Sequence, residues 1–198
     1  MSLIPEFELG LLNAWIFIPP YILMVVGLPP LLKRRSLIKK ESPLYWASPS
    51  LTKSEKMYAW LLRIIAAVLL LYSVFLPVSI GTMWFYVGLI VYLLGYAFCI
   101  LAMLAFIATP TNKPNTAGIY SISRHPVYLG TFFIILGPGV ASASWVYLLL
   151  ASILLASMRN ALMIPEERQC CERFGNAYRE YMNRTPRWIG IPKSKETP

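Results

Sequence analysis

Gly118-Ile119-Tyr120-Ser121-Ile122-Ser123-Arg124-His125-Pro126-Val127-Tyr128-Leu129-Gly130 is a polar interruption in a chain that is otherwise mostly apolar. It holds the only histidine of the 198 residues, next to an arginine and between two tyrosines. Lipid alone accounts for the apolar runs on either side of it. Lipid does not account for this stretch, which must lie where the chain meets water. Its position therefore fixes which ends of the neighbouring segments share one boundary.

Composition makes those runs membrane segments. The chain is 57% hydrophobic and 14% charged, with a mean hydropathy of +0.58, whereas soluble domains are nearer half apolar and a quarter charged. A single domain over residues 1–198 is expected, with no room for a separate soluble catalytic domain. Met1 to Gly10 carries two glutamates and no basic residue, unlike the start of a cleavable signal peptide, so the first apolar segment is expected to be retained. Cys99, Cys170 and Cys171 do not form a disulfide framework, and one histidine without a CxxC pair gives no metal site. No GxGxxG is present, so no Rossmann fold is expected.

Five transmembrane helices follow from the pattern. Leu11 to Leu32 has 22 residues and no charge, and at about 1.5 Å per residue it spans the hydrocarbon layer. Pro19-Pro20 should kink it in the middle. Met57 to Ile80 and Trp84 to Ala108 are the second and third spans, joined by Gly81-Thr82-Met83. Val127 to Val140 is shorter, and Gly137-Pro138-Gly139 should break it. Ala141 to Ser144 then links it to Trp145 to Ile164 as a closely packed hairpin. Residues 1–110 thus hold the N-terminal spans, and residues 111–198 a loop, the hairpin and a C-terminal segment.

With the loop after the first span placed in the cytoplasm, alternation sends all eighteen basic residues to that side. The N-terminus is then outside, and the polar stretch and C-terminus face the cytoplasm. The net charge of +9 thereby points to a membrane surface and not to nucleic acid. From Pro165 the chain becomes polar. Cys170, Phe174, Tyr178 and Tyr181 mark an amphipathic helix that Gly175-Asn176 can bend, and the tail from Gly190 should fray.

Two polar clusters share this boundary: Tyr120, Arg124, His125 and Tyr128, and the segment from Glu166 to Tyr181. Either is explained by an interfacial belt and a solvated helix face. They also suit a ligand. His125 precedes Pro126 at a helix start, where free N–H groups favour an anion. Arg124 adds a forked cation for a carboxylate, and Glu166 and Glu167 can hold an ammonium group.

Arg124-His125-Pro126-x-Tyr128-x-Gly130, then an apolar hairpin, Glu166-Glu167, Phe174-Gly175, Tyr178, Tyr181 and Pro186-Arg187-Trp188 form an ordered set. This set resembles the isoprenylcysteine carboxyl methyltransferase family and, more broadly, small membrane methyltransferases that include phospholipid N-methyltransferases. The resemblance covers Gly118 to Trp188, a little over a third of the chain. It implies S-adenosylmethionine as cofactor, lined by Tyr120, Arg124, His125, Pro126, Val127, Tyr128 and Tyr178, with Glu167 toward its ammonium or sulfonium side. Asn112, Lys113, Pro114 and Asn115 would also touch the cofactor, although family members often carry a histidine where Asn112 stands. The implied reaction is methylation of the C-terminal carboxylate of a prenylated cysteine, as a small molecule or a protein C-terminus. Glu167 and Arg173 are the candidate catalytic residues, and Arg173 or Arg159 would place the acceptor.

Other readings remain open at this point. A lipid amine is an alternative acceptor. A transporter or assembly factor would be expected to show an intramembrane charge or an internal repeat, and neither is seen beyond Arg63 and Arg159 near span ends. A nicotinamide-dependent membrane reductase shares features of the C-terminal region but would be expected to show more basic positions.

Overall fold

The computed structural model describes residues 10–24, 50–110 and 112–190. The protein is an all-helical integral membrane protein. Among the described residues the only strand-like pairing is a bridge between Asn13 and Pro77. The helices are α1 (Ile18–Ile22), α2 (Lys53–Phe75), α3 (Met83–Ala108), α4 (Pro126–Ala141), α5 (Trp145–Met158), α6 (Ile164–Phe174) and α7 (Asn176–Arg184). A π-turn, Arg159–Met163, makes α5 and α6 one continuous helix. Among the described residues three helices are long and apolar enough to cross a membrane, namely α2, α3 and the α5–α6 helix, and α4 is a shorter apolar one. Their outward residues, such as Leu71, Ile90, Leu104 and Leu149, are exposed leucines and isoleucines, as a lipid-facing surface requires.

Local chemistry sets the helix starts. Thr52 and Glu55 close a capping box on α2, and Thr82 caps α3 after the turn at Gly81. The first expected span is described only to Met24. There Pro19 and Pro20 stand in the first turn of α1, after a 3-10 turn at Ala14–Phe17. The rest of that span and the basic run from Lys33 to Lys40 lie outside the described residues.

The tightest packing is between antiparallel α3 and α4. A Cβ on Gly95 would meet the Gly130 carbonyl oxygen at 2.6 Å, and one on Gly137 would meet the Gly88 carbonyl oxygen at 2.8 Å. One on Gly88 would run into the backbone of Ala141. With lipid as apolar as the core, close backbone approach is what holds two such helices together.

α4 and α5 form the expected hairpin, joined by a tight turn and touching where Gly139 meets Tyr147 and Leu148, while α4 packs chiefly on α3 and α5 also on α2, where Tyr72 bonds Ser144 at 3.2 Å. The expected break at Gly137-Pro138-Gly139 is corrected: α4 runs through to Ala141. Its small residues serve close approach instead, Gly137 to α3 and Gly139 to Tyr147 and Leu148 of α5, so packing overrides the breaker signal. Pro165 stands in the first turn of α6, where the chain turns polar. It has no N–H for the carbonyl four residues back, and the wider π-turn before it absorbs the mismatch. The apolar part, Trp145 to Ile164, is already about 30 Å long, enough by itself to cross the hydrocarbon layer without the polar α6. Gly175, at φ +56°, then stops α6 and turns the chain into α7, as anticipated at Gly175-Asn176.

Candidate active site at the polar rim

The stretch before α4 is held by the C-terminus. A 3-10 turn at Gly118–Ser121 leads to His125, which precedes α4 with Pro126 as its first residue. After α7 the chain straps back across this stretch. The Arg124 amide donates to Pro186 O at 3.0 Å, the Gly190 amide to Ile122 O at 3.3 Å, and the Ser123 hydroxyl to Arg187 O at 3.2 Å. From α7, the Tyr181 hydroxyl donates to Tyr120 O at 2.7 Å. Gly190 is thus tethered, where fraying was expected, because the strap supplies backbone partners for an otherwise open loop. Residues 191–198 lie outside the described residues.

Glu167 is the hub of the rim. His125 Nε2 lies 3.0 Å from its Oε1, Arg124 Nη1 lies 3.2 Å from the same oxygen, and Arg187 forks onto both oxygens at 3.1 and 2.6 Å. A carboxylate only accepts, so His125 Nε2 carries the proton. Burial works to raise the Glu167 pKa, but the hydrogen bonds from His125 and Arg187 and the charge of Arg124 outweigh it and hold it at about 2. Burial pushes the neighbouring Cys170 thiol up to about 12, helped by the charge of Glu166. It also raises the Tyr120 and Tyr178 hydroxyls, so both are neutral donors.

The cluster is incomplete. Glu166 lies beside it, its Oε2 3.8 Å from His125 Nδ1. That oxygen, Arg124 Nε and Asn115 Nδ2 are buried and make no hydrogen bond among the described residues, and Arg124 Nη1 has only its ion-pair approach to Glu167. Buried polar atoms are rarely left so. Here they are donors on one side and a carboxylate oxygen on the other, matching a ligand with a carboxylate and an ammonium group. Among the described residues no group of three or more metal-ligating side chains comes together.

The two distant polar clusters of the sequence are therefore one site. It joins Tyr120, Arg124, His125, Tyr128, Glu166, Glu167 and Tyr178, with Tyr128 beside Glu166 and Tyr178 close to Cys170. Asn115 packs at the end of α3, its Oδ1 accepting from the Thr109 hydroxyl at 3.0 Å. Asn112 and Lys113 are exposed and Pro114 is half-buried. Pro126 is fully buried, while Val127 is exposed at the surface. The structure does not bring Arg173 or Arg159 into contact with Glu167: Arg173 is exposed and stacks on Phe174, and Arg159 is exposed on the π-turn. Arg187 was missed as a site residue. Its signal was present in Pro186-Arg187-Trp188, but a residue beyond the last helix gives no periodicity from which to place it.

The phospholipid methyltransferase family model matches residues 62–177, more than half of the chain and from within α2 to the start of α7. The chain is also 34% identical, over 89 residues, to the protein-S-isoprenylcysteine O-methyltransferase of Schizosaccharomyces pombe. That similarity covers 43% of this chain and 37% of the yeast protein, so the chain matches just over a third of that relative's length.

Proposed function

The chain belongs to the phospholipid methyltransferase family, whose methyltransferases use S-adenosylmethionine, and from that premise we propose that it methylates the C-terminal carboxylate of a prenylated cysteine. The observation that carries the cofactor reading is the set of unpaired atoms at the rim, Arg124 Nε and Glu166 Oε2 foremost. They fit the carboxylate and ammonium of the donor's amino-acid end. Glu167 already has partners for both oxygens, so it orients Arg124 and His125 while Glu166 takes the ammonium. Asn115 Nδ2 offers one further donor, and Tyr120, Tyr128 and Tyr178 wall the site, with the 112–114 backbone at its edge.

When bound, the cofactor supplies a methyl group on a sulfonium. The acceptor carboxylate is ionised at neutral pH and needs no general base. What remains for the chain is alignment, which can supply several kcal/mol, and a cation to place the acceptor. Arg173, within two turns of Glu167 on the same helix, is the first choice and Arg159 the second. A prenyl chain would reach the rim laterally through the apolar helix surfaces. The distribution of basic residues favours a site and C-terminus on the cytoplasmic face and an N-terminus outside.

The test is transfer of labelled methyl to N-acetyl-farnesylcysteine by the purified protein, giving a base-labile ester. Intact cofactor binding without this product in detergent or lipid would overturn the carboxylate reading. The second reading, methylation of a lipid amine, is favoured by the family match, whose description is phospholipid methyltransferase. Base-stable methylation of phosphatidylethanolamine would establish it.

A further inference from the structure

On the far side of α6 a second carboxylate meets an arginine. Arg168 forks onto Glu55, with Nη1 2.9 Å from Oε1 and Nη2 3.0 Å from Oε2, and Nη2 also donates to Ser50 O at 2.7 Å. Glu55 Oε2 meanwhile accepts the Thr52 amide at 2.8 Å. Glu55 is buried and both its oxygens are engaged, which leaves it nothing to offer a ligand. Its contacts instead tie the first turn of α2 to α6.

What they tie is the rotation of α6. Arg168 follows Glu167 directly and so lies about 100° round the helix from it. Between α5 and α6 stands the π-turn at Arg159–Met163. A π-turn holds one residue more than an α-turn, and its relaxation to α geometry would rotate everything after it by about 100°. Glu167 would then leave His125, and Cys170 would leave Tyr178. We propose that Glu55 is a positioning residue: by gripping Arg168 it sets the phase of α6 and so presents Glu166 and Glu167 to Arg124 and His125. The proposal rests on the reading of the rim as a cofactor site only for its binding consequences. The rotation itself is independent of any ligand.

Glu55→Gln tests it cleanly, because glutamine keeps the capping box and loses the ion pair. In a Cys99→Ala, Cys171→Ser background Cys170 is the sole thiol, and its partial burial and raised pKa should make it slow to react while α6 is locked. Glu55→Gln and Arg168→Ala should each raise the rate of maleimide labelling at Cys170 at least fivefold. They should also weaken S-adenosylhomocysteine binding at least fivefold, with Arg168→Lys intermediate in both. Labelling within twofold of the parent in both Glu55→Gln and Arg168→Ala would overturn the proposal. Failure of the parent protein to bind S-adenosylhomocysteine would instead overturn the cofactor reading, and labelling would still decide this one.

Discussion

The α3–α4 seam and the polar rim are both close-packed, by opposite means. The seam has no charge in it, and its glycines let two backbones touch. The rim is built from Glu167, Arg124, His125 and Arg187, and it keeps buried donors and an acceptor unpaired. A complete interface has no use for a ligand. An incomplete one, held rigid by a complete one, is where a ligand belongs.

The comparison breaks most visibly at Glu167. Removing its carboxylate by Glu167→Ala leaves Arg124 and Arg187 without their common counter-charge, and breaking a buried pair in this way costs about 3–5 kcal/mol. Thermal melts in detergent should show a large drop in Tm, and calorimetry no S-adenosylhomocysteine binding. An unchanged Tm would mean that the rim is not organised by this carboxylate.

The same residue sets a pH signature. Its folded pKa of about 2 lies below the ordinary 4.5, so the ionised carboxylate favours the folded state. That contribution is complete above the unfolded value and is lost as pH falls through the folded one. The stability difference between wild type and Glu167→Gln should therefore be constant above about pH 5 and shrink between about pH 4.5 and 2, by up to about 3 kcal/mol. A difference independent of pH across that window would show that the carboxylate is not held by its cations.

The seam answers differently. Gly95→Ala drives a methyl group into the Gly130 carbonyl and Ile134, and overpacking of this sort costs about 1–3 kcal/mol. Tm should fall while the folded protein binds S-adenosylhomocysteine within about twofold of wild type. A loss of affinity larger than the loss of stability would join the two regions that the comparison separates.

Long apolar runs made the second, third and last spans legible, because length and charge alone decide whether a helix suits lipid. His125 and Glu167 were legible as partners because topology returns both to one boundary. Three features were not. Pro138 read as a breaker, since nothing local reveals that Gly137 and Gly139 each have a helix to touch, and nothing local announces the π-turn before Pro165. Arg187 lies outside any periodic segment, and the strap that places it is made of backbone hydrogen bonds, which leave no trace in side-chain pattern.

Asn115 gives the smallest effect. The single hydroxyl proton of Thr109 at the end of α3 is shared between Ala105 O at 2.8 Å and Asn115 Oδ1 at 3.0 Å, and Asn115 Nδ2 is buried without a hydrogen bond among the described residues. Asn115→Asp keeps an oxygen for Thr109 and replaces the donor with an acceptor. If that donor serves the cofactor, affinity for S-adenosylhomocysteine should fall about fivefold, roughly 1 kcal/mol, with Tm nearly unchanged. If it serves only the loop, the loss appears in Tm and not in affinity, and the edge of the site then lies short of the 112–115 segment.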